Sequence, residues 1–231
     1  MLHYAANKCC KLGVSRILLS ATPPRELQVA VKRGKLAHAR VPVRYHRHPL
    51  PVPKLVRTVT VKQMLDTDKM PNGLYDALRK SINRGAQIFV FVQRIALVER
   101  LAALMRLKLQ FAAVAATSSK DPERAQKVKD FRNGDIRILV TTTILERGVT
   151  IPKSDVFILD ADGGLFDEAS LVQMAGRAGR SANDPNGQVY FFAKERNQSQ
   201  IRALRHIRAM NHIARKNGFL HDGLHKGDPQ S

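Results

Sequence analysis

Cysteine is nearly missing from this sequence: Cys9 and Cys10 are the only two in 231 residues. Adjacent thiols form no ordinary disulfide and supply no paired CxxC knuckles for a structural zinc ion. Covalent stapling and a cysteine-built metal site are therefore excluded, and such sparse thiols suit a reducing cytoplasm. Tryptophan is absent and aromatic residues make up only 6%, which leaves little for stacking on bases. No apolar run approaches the roughly 18 residues of a membrane span, and the N-terminus lacks a signal-peptide core. Acidic residues are also scarce, 19 against 39 Lys and Arg, for a net charge of +20. Charge of one sign repels itself unless a polyanion is the usual partner, so nucleic acid leads. A generally basic surface without a specific partner is the alternative.

What is present is a soluble chain, 44% hydrophobic, long enough for one full domain and a fragment of another. The run RILLSAT, Arg16–Thr22, reads as a short buried strand stopped by Pro23 and Pro24, with a loop and short helix after it. From about Ala37 to Pro53 the chain is rich in His, Arg, Pro and Val without helical period, which suits an extended connection between two lobes. The domain boundary is placed near Pro51–Pro53: 1–50 as a remnant of one lobe with its linker, 51–220 as a second lobe, 221–231 as a tail.

Beyond that boundary strands and helices alternate. Helices are predicted at Asn72–Arg84, Ile95–Leu107, Pro122–Asn133 and Glu168–Ala178, and strands at Gln87–Val92, Phe111–Ala116, Ile136–Thr141, Val156–Asp160 and Gln188–Ala193. Near-continuous apolar strands in such alternation imply a parallel sheet covered by helices on both faces, an α/β fold. Ligands of such sheets sit beyond the carboxyl ends of the strands, so chemistry is expected there. A last helix, about Glu195–Asn217, places Ile201, Leu204, Ile207, Met210 and Ile213 on one packing face, with Arg202, Arg205, Arg208 and Arg215 mostly elsewhere. His206, His212 and the histidines of the tail lack ligand-like partners and read as surface residues.

Three segments carry chemistry. In LVQMAGRAGRS, Leu171–Ser181, a continuous helix would present Gln173, Arg177 and Arg180 at spacings of four and three, on one face. Two guanidiniums so placed can bracket a phosphoryl group and stabilise charge that develops during its transfer. Gly176 and Gly179 cost about 1 kcal/mol each inside a helix, which makes sense where backbone and ligand must approach closely. An ordinary basic helix end is the competing reading. In ILVTTTILERGVTIP, Ile138–Pro152, a buried strand discharges into Thr141, Thr142 and Thr143 and then a turn at Gly148, where hydroxyls and amides could grip a phosphate backbone. A strand that simply continues the sheet competes with that. Ser20, Ala21 and Thr22 end the first strand and gain weight only from their order ahead of the other segments.

That order, SAT, then FVFVQRIALVERL, TTTILERG and QMAGRAGR, resembles motifs III to VI of superfamily-two helicases over essentially the whole chain. LLSATPP at Leu18–Pro24 and TTTILERGVTIP at Thr141–Pro152 are most similar to the ComFA family of late-competence DNA-uptake ATPases. The resemblance implies a RecA-like second helicase lobe in which Arg177 and Arg180 are arginine fingers and Gln173 lies near the γ-phosphate or attacking water. It places Gly148, Thr150 and Gly176 at the nucleotide, Thr150 standing where many relatives have a ribose-contacting Asp. It puts Thr141, Thr142, Gln93 and Arg94 on the nucleic-acid backbone and makes Ser20, Ala21 and Thr22 couple nucleotide state to strand binding.

The sequence contains no GxxxxGK[ST] loop and no DExD or DExH tetrad, which the family needs in its first lobe. ATP and Mg²⁺ are therefore expected to be bound mainly by a first lobe, with the family's zinc module further upstream and Met1 falling just after the acidic tetrad. The intact protein is expected to be a DNA-dependent ATPase that pulls single-stranded DNA. By resemblance its partners are that first lobe, a membrane DNA-uptake channel and competence proteins at the inner face of the membrane. A lobe of a primosomal or replication-restart helicase, or a DNA-binding fragment without ATPase activity, is the alternative.

Overall fold

Five of the strands are built from residues that have no polar face to show. QIFVF, ILVT, SDVFIL and VYFFA are buried at every position, and VAAT at all but one. The computed structural model describes residues 17–142, 151–182 and 184–221. The chain divides into two units, residues 1–38 and 39–231. In the first, the described structure is an exposed extended stretch and one helix, α1 (Arg25–Lys32). RILLSAT is not the buried strand its composition predicts: Ile17 and Leu19 are 83% and 92% exposed. Among the described residues no other strand pairs with it, and an unpaired strand has neither ladder nor packing to hold it.

In the second unit the order is β1 (Lys54–Arg57), α2 (Val61–Asp66), α3 (Asn72–Asn83), β2 (Gln87–Phe91), α4 (Ile95–Leu109), β3 (Val114–Thr117) and α5 (Arg124–Asn133). It continues with β4 (Ile138–Thr141), β5 (Ser154–Leu159), α6 (Glu168–Ala175), β6 (Val189–Ala193) and α7 (Gln198–Lys216). The sheet runs β1-β6-β5-β2-β4-β3, every pair parallel. One face packs Ile88, Val90, Val140, Phe157 and Phe192 against α2, α3 and α4. The other packs Phe89, Phe91, Leu139, Val156, Ile158 and Phe191 against Phe131 of α5, α6 and α7. The predicted α/β sheet with helices on both faces is thus the observed fold.

Two helices depart from expectation. α6 ends at Ala175, not Ala178, so Arg177 and Arg180 lie beyond it and share no helical face with Gln173. After the helix the bonding tightens, Arg177 N–H donating to Met174 O at 2.9 Å and Ala178 N–H to Ala175 O at 3.2 Å. Gly179 then takes φ +59°, which ends any right-handed continuation. In α7 the fully buried positions are Gln200, Ala203, Ile207, Asn211 and Ala214, whereas Ile201, Leu204, Met210 and Ile213 flank that line half-buried. His206 is not a free surface residue, since its Nδ1 lies 3.3 Å from Glu168 Oε1 on α6. Among the described residues no helix is long and apolar enough to cross a membrane.

Candidate functional site

A parallel sheet has two distinct ends, and the residues singled out above divide between them. β2 and β4 deliver Gln93, Arg94, Thr141 and Thr142 to the carboxyl edge, where Phe91 pairs with Thr141. The Gly176–Arg180 loop is at the opposite edge. Ser154, first residue of β5, donates from Oγ to Arg177 O at 2.9 Å, and its carbonyl lies 3.4 Å from the Gly179 amide. The six residues of β5 separate these ends by roughly 16 Å at ~3.3 Å per residue. The candidate residues thus lie at both ends of the sheet and not beyond the carboxyl ends alone. α6 starts near the carboxyl edge and returns its C-terminus, with the arginines, to the amino edge, as every crossover of a parallel sheet must.

The arginine loop is held from three sides. Beneath it, a Cβ on Gly179 would collide with the Pro185 carbonyl, and one on Gly187 with the Gly179 amide and Ser154 carbonyl. Glycine is required at both places because two backbones touch. On one flank Arg84 forms two forks. Nε and Nη2 donate to Asp155 at 3.1 and 2.7 Å, and Nη1 and Nη2 to Asp184 at 3.0 Å each. Asp155 has no exposed side-chain surface and also accepts the Gln188 amide at 2.6 Å. Hydrogen bonding to Asp155 foremost holds the Arg84 guanidinium above its ordinary pKa, and the pair ties Asp184 and Gln188 to the start of β5.

On the other flank stands Arg44, from the segment leading into β1. Its Nη1 donates to Ala178 O at 2.7 Å and Gly179 O at 2.5 Å, and its Nη2 to Gly176 O at 3.0 Å. Gly176 O also accepts Arg180 Nε at 3.1 Å, and Tyr45 Oη reaches Arg180 O at 3.4 Å. Arg177 is 6% exposed, and burial, then the charge of Arg180, lowers its pKa. Arg180 is half-buried and Gln173 exposed on α6. The amino edge thus gathers Arg177 and Arg180 in one loop, with Gly176 as its hinge to α6. Two guanidiniums on one fixed loop could bind a phosphoryl group, and among the described residues no group of carboxylates placed to hold a metal ion accompanies them.

At the carboxyl edge Gln93 Nε2 donates to Asp160 O at 2.7 Å, and a Cβ at Gly163 would run into the Gln93 side chain. Asp160, at φ +51°, accepts the Val61 amide at 3.0 Å, and burial raises its pKa. Arg94 is exposed at the N-cap of α4. The Oγ1 atoms of Thr141 and Thr142 are buried without a hydrogen-bond partner among the described residues, donors that a ligand could satisfy. Gly148 and Thr150 lie outside the described residues. Ser20, Ala21 and Thr22 belong to the first unit, where the Thr22 amide donates to Ser20 Oγ at 3.2 Å. Sequence reasoning missed Arg44, Arg84, Asp155 and Asp184. Only the buried Asp155 inside an apolar strand carried a signal, because an unpaired carboxylate is not tolerated there.

The helicase conserved C-terminal domain matches residues 71–182. The competence protein ComFA of Bacillus subtilis is 37% identical over 215 residues, 93% of this chain and 46% of the relative. ComFA of Streptococcus pneumoniae is 35% identical over 211 residues, 91% of this chain and 49% of the relative. The chain spans about half the length of these relatives. RecG bound to a three-way DNA junction superposes with a TM-score of 0.55 at 21% identity, covering 86% of this chain and 26% of that one. Yeast Dbp5 bound to RNA and ADP BeF3 gives 0.51 at 18% identity, covering 89% and 51%; both likenesses speak to the fold. With its RecA-like parallel sheet and arginine loop, the chain contains a helicase conserved C-terminal domain and is similar to ComFA over most of its length.

Proposed function

We propose that this chain is the second motor lobe of an ATP-dependent single-stranded DNA translocase, residues 51–220 forming the lobe, in a protein that takes up transforming DNA. The observation that carries this is the placement across the sheet: two arginines on a braced loop at one edge, and at the other Arg94 with threonine hydroxyls that have no hydrogen-bond partner among the described residues. Arg177 and Arg180 would bracket the γ-phosphate of a nucleotide held with Mg²⁺ chiefly by a first lobe that carries the phosphate loop, and stabilise the charge of the transition state. Gln173, exposed on the last turns of α6, would orient the attacking water. ATP supplies the hydrolysis energy, while this chain's arginines sense whether the lobes are closed. Thr141, Thr142 and Arg94 would hold phosphates of the strand, so binding is sequence-tolerant and salt-sensitive. Association with an uptake channel at the membrane's inner face belongs to the same reading, supported by the similarity to ComFA.

The test is nucleotide turnover. The chain alone should hydrolyse no ATP, and a first lobe supplied in trans or in one polypeptide should restore DNA-stimulated turnover. Arg177→Ala or Arg180→Ala should then lower kcat by about 10³-fold or more, the usual size of an arginine-finger loss, with the Kd for single-stranded DNA nearly unchanged. DNA-stimulated hydrolysis by the chain alone would overturn the half-site. Equal loss of turnover and DNA binding would show that the arginines hold DNA.

A further inference from the structure

We propose that Arg44 is a positioning residue for the arginine loop, through which the segment entering the lobe sets the aim of Arg177 and Arg180; this rests on the function just proposed. The Met174 and Ala175 carbonyls at the end of α6 already accept the Arg177 and Ala178 amides, but the carbonyls of the turn that follows need partners of their own. Arg44 satisfies the Gly176, Ala178 and Gly179 carbonyls with one planar guanidinium, at 2.5 to 3.0 Å, from 132 to 135 residues away in sequence. That fork spans the whole turn in which Arg177 sits. Gly176 O is at the same time the acceptor for Arg180 Nε, so Arg44 and Arg180 are fixed against one shared atom.

The segment that carries Arg44 is itself anchored. Leu50 N–H donates to Asn211 Oδ1 at 2.7 Å and Asn211 Nδ2 to Leu50 O at 2.8 Å, a reciprocal pair that mimics a strand rung on α7. Arg47 Nε and Nη2 donate to Phe219 O and Gly218 O at 3.0 and 2.9 Å, just past the end of that helix. Desolvation, then the nearby charge of Arg180, lowers the Arg44 pKa to about 10. A cation is kept there against burial and a like charge, and the three carbonyls are what hold it. A displacement of residues 40–50 is thereby transmitted to the loop rather than absorbed in the linker.

Two readouts test this. Hydrogen exchange on the full 231-residue chain should show the Arg177–Gly179 amides exchanging at least tenfold faster in Arg44→Ala. The amides of β2 and β5 should not change, and Arg40→Ala, at an exposed neighbour, should alter neither. Arg44→Lys, which keeps the charge but loses the planar fork, should fall between. In the two-lobed protein Arg44→Ala should lower kcat ten- to a hundredfold with KM for ATP and Kd for DNA within threefold. Unchanged loop exchange, or acceleration spread evenly over the sheet, would overturn the bracing. Faster loop exchange with unchanged kcat would overturn the positioning role. Failure of the unsubstituted two-lobed protein to turn over ATP would instead sink the proposed function, and the exchange comparison would still decide the brace.

Discussion

Asp155 is a carboxylate with no exposed side-chain surface inside an otherwise apolar strand, and Arg84 is its neutralising partner. Removing one member of a buried pair leaves the other charge uncompensated, which costs about 3–5 kcal/mol. Arg84→Ala should therefore lower unfolding free energy by about that amount in urea titration, and Arg84→Ala combined with Asp155→Ala should lose less than the sum of the single changes. His46 gives a pH signature. It is 5% exposed, and burial, then Arg44 and His48, lower its pKa. The folded protein holds it neutral, while the unfolded chain takes up a proton near pH 6.5. Its contribution to stability is thus complete above that pH and falls as pH drops from there toward the depressed folded value. Melting temperatures of the native chain and His46→Gln should converge or cross between pH 7.5 and 5, with the native chain losing more; parallel curves would exclude His46.

Helix ends and helix faces are where residue patterns misled. Strands β2, β4, β5 and β6 were legible because burial on both sides leaves only apolar residues, a signal independent of partners. The end of α6 was not. LVQMAGRAGR keeps helical spacing on paper, but Gly179 takes a left-handed backbone, and the Pro185 carbonyl occupies the place a Cβ would need there. That is a tertiary fact three residues past the last helical hydrogen bond. Arg44 was hidden for the same reason, since its partners are remote in sequence and its own neighbourhood has no period. On α7, counting large apolar residues shifted the packing face sideways, because Gln200 and Asn211 are buried through hydrogen bonds to backbone. Ile207→Ala, at 2% exposure, should cost about 2–4 kcal/mol, and half-buried Ile201→Ala or Ile213→Ala about 1 kcal/mol. Equal costs by thermal melting would restore the sequence-drawn stripe.

Across the whole molecule, charge and topology combine. On the function proposed, a chain of net charge +20 should bind single strands with an affinity that falls steeply with salt, with a slope near 0.7 per phosphate neutralised. Arg94→Ala, at the carboxyl edge, should reduce that slope by about 0.7, and Arg177→Ala, a strand length away, should leave it unchanged. The two substitutions should be additive in both binding and turnover. A change of slope in Arg177→Ala, measured between 50 and 200 mM salt, would merge the two edges into one surface. The arginine motif alone pointed to a motor; the sheet sets the arginine loop and the threonine edge at opposite ends, so the two proposed tasks would not compete for the same residues.

Only Tyr45–Pro49 lies between Arg44 and the Leu50 rung to Asn211. So short a stretch has no slack to take up a deletion or misfit, and both of its ties are made to the lobe that follows. Recombining lobes between related proteins at Pro51 would cut off the guanidinium that braces the turn after α6, opening the Ala178 and Gly179 carbonyls and leaving Gly176 O to Arg180 alone. A graft that keeps residues from Ala39 onward with the sheet should carry the brace along and transplant the arginine loop in working order.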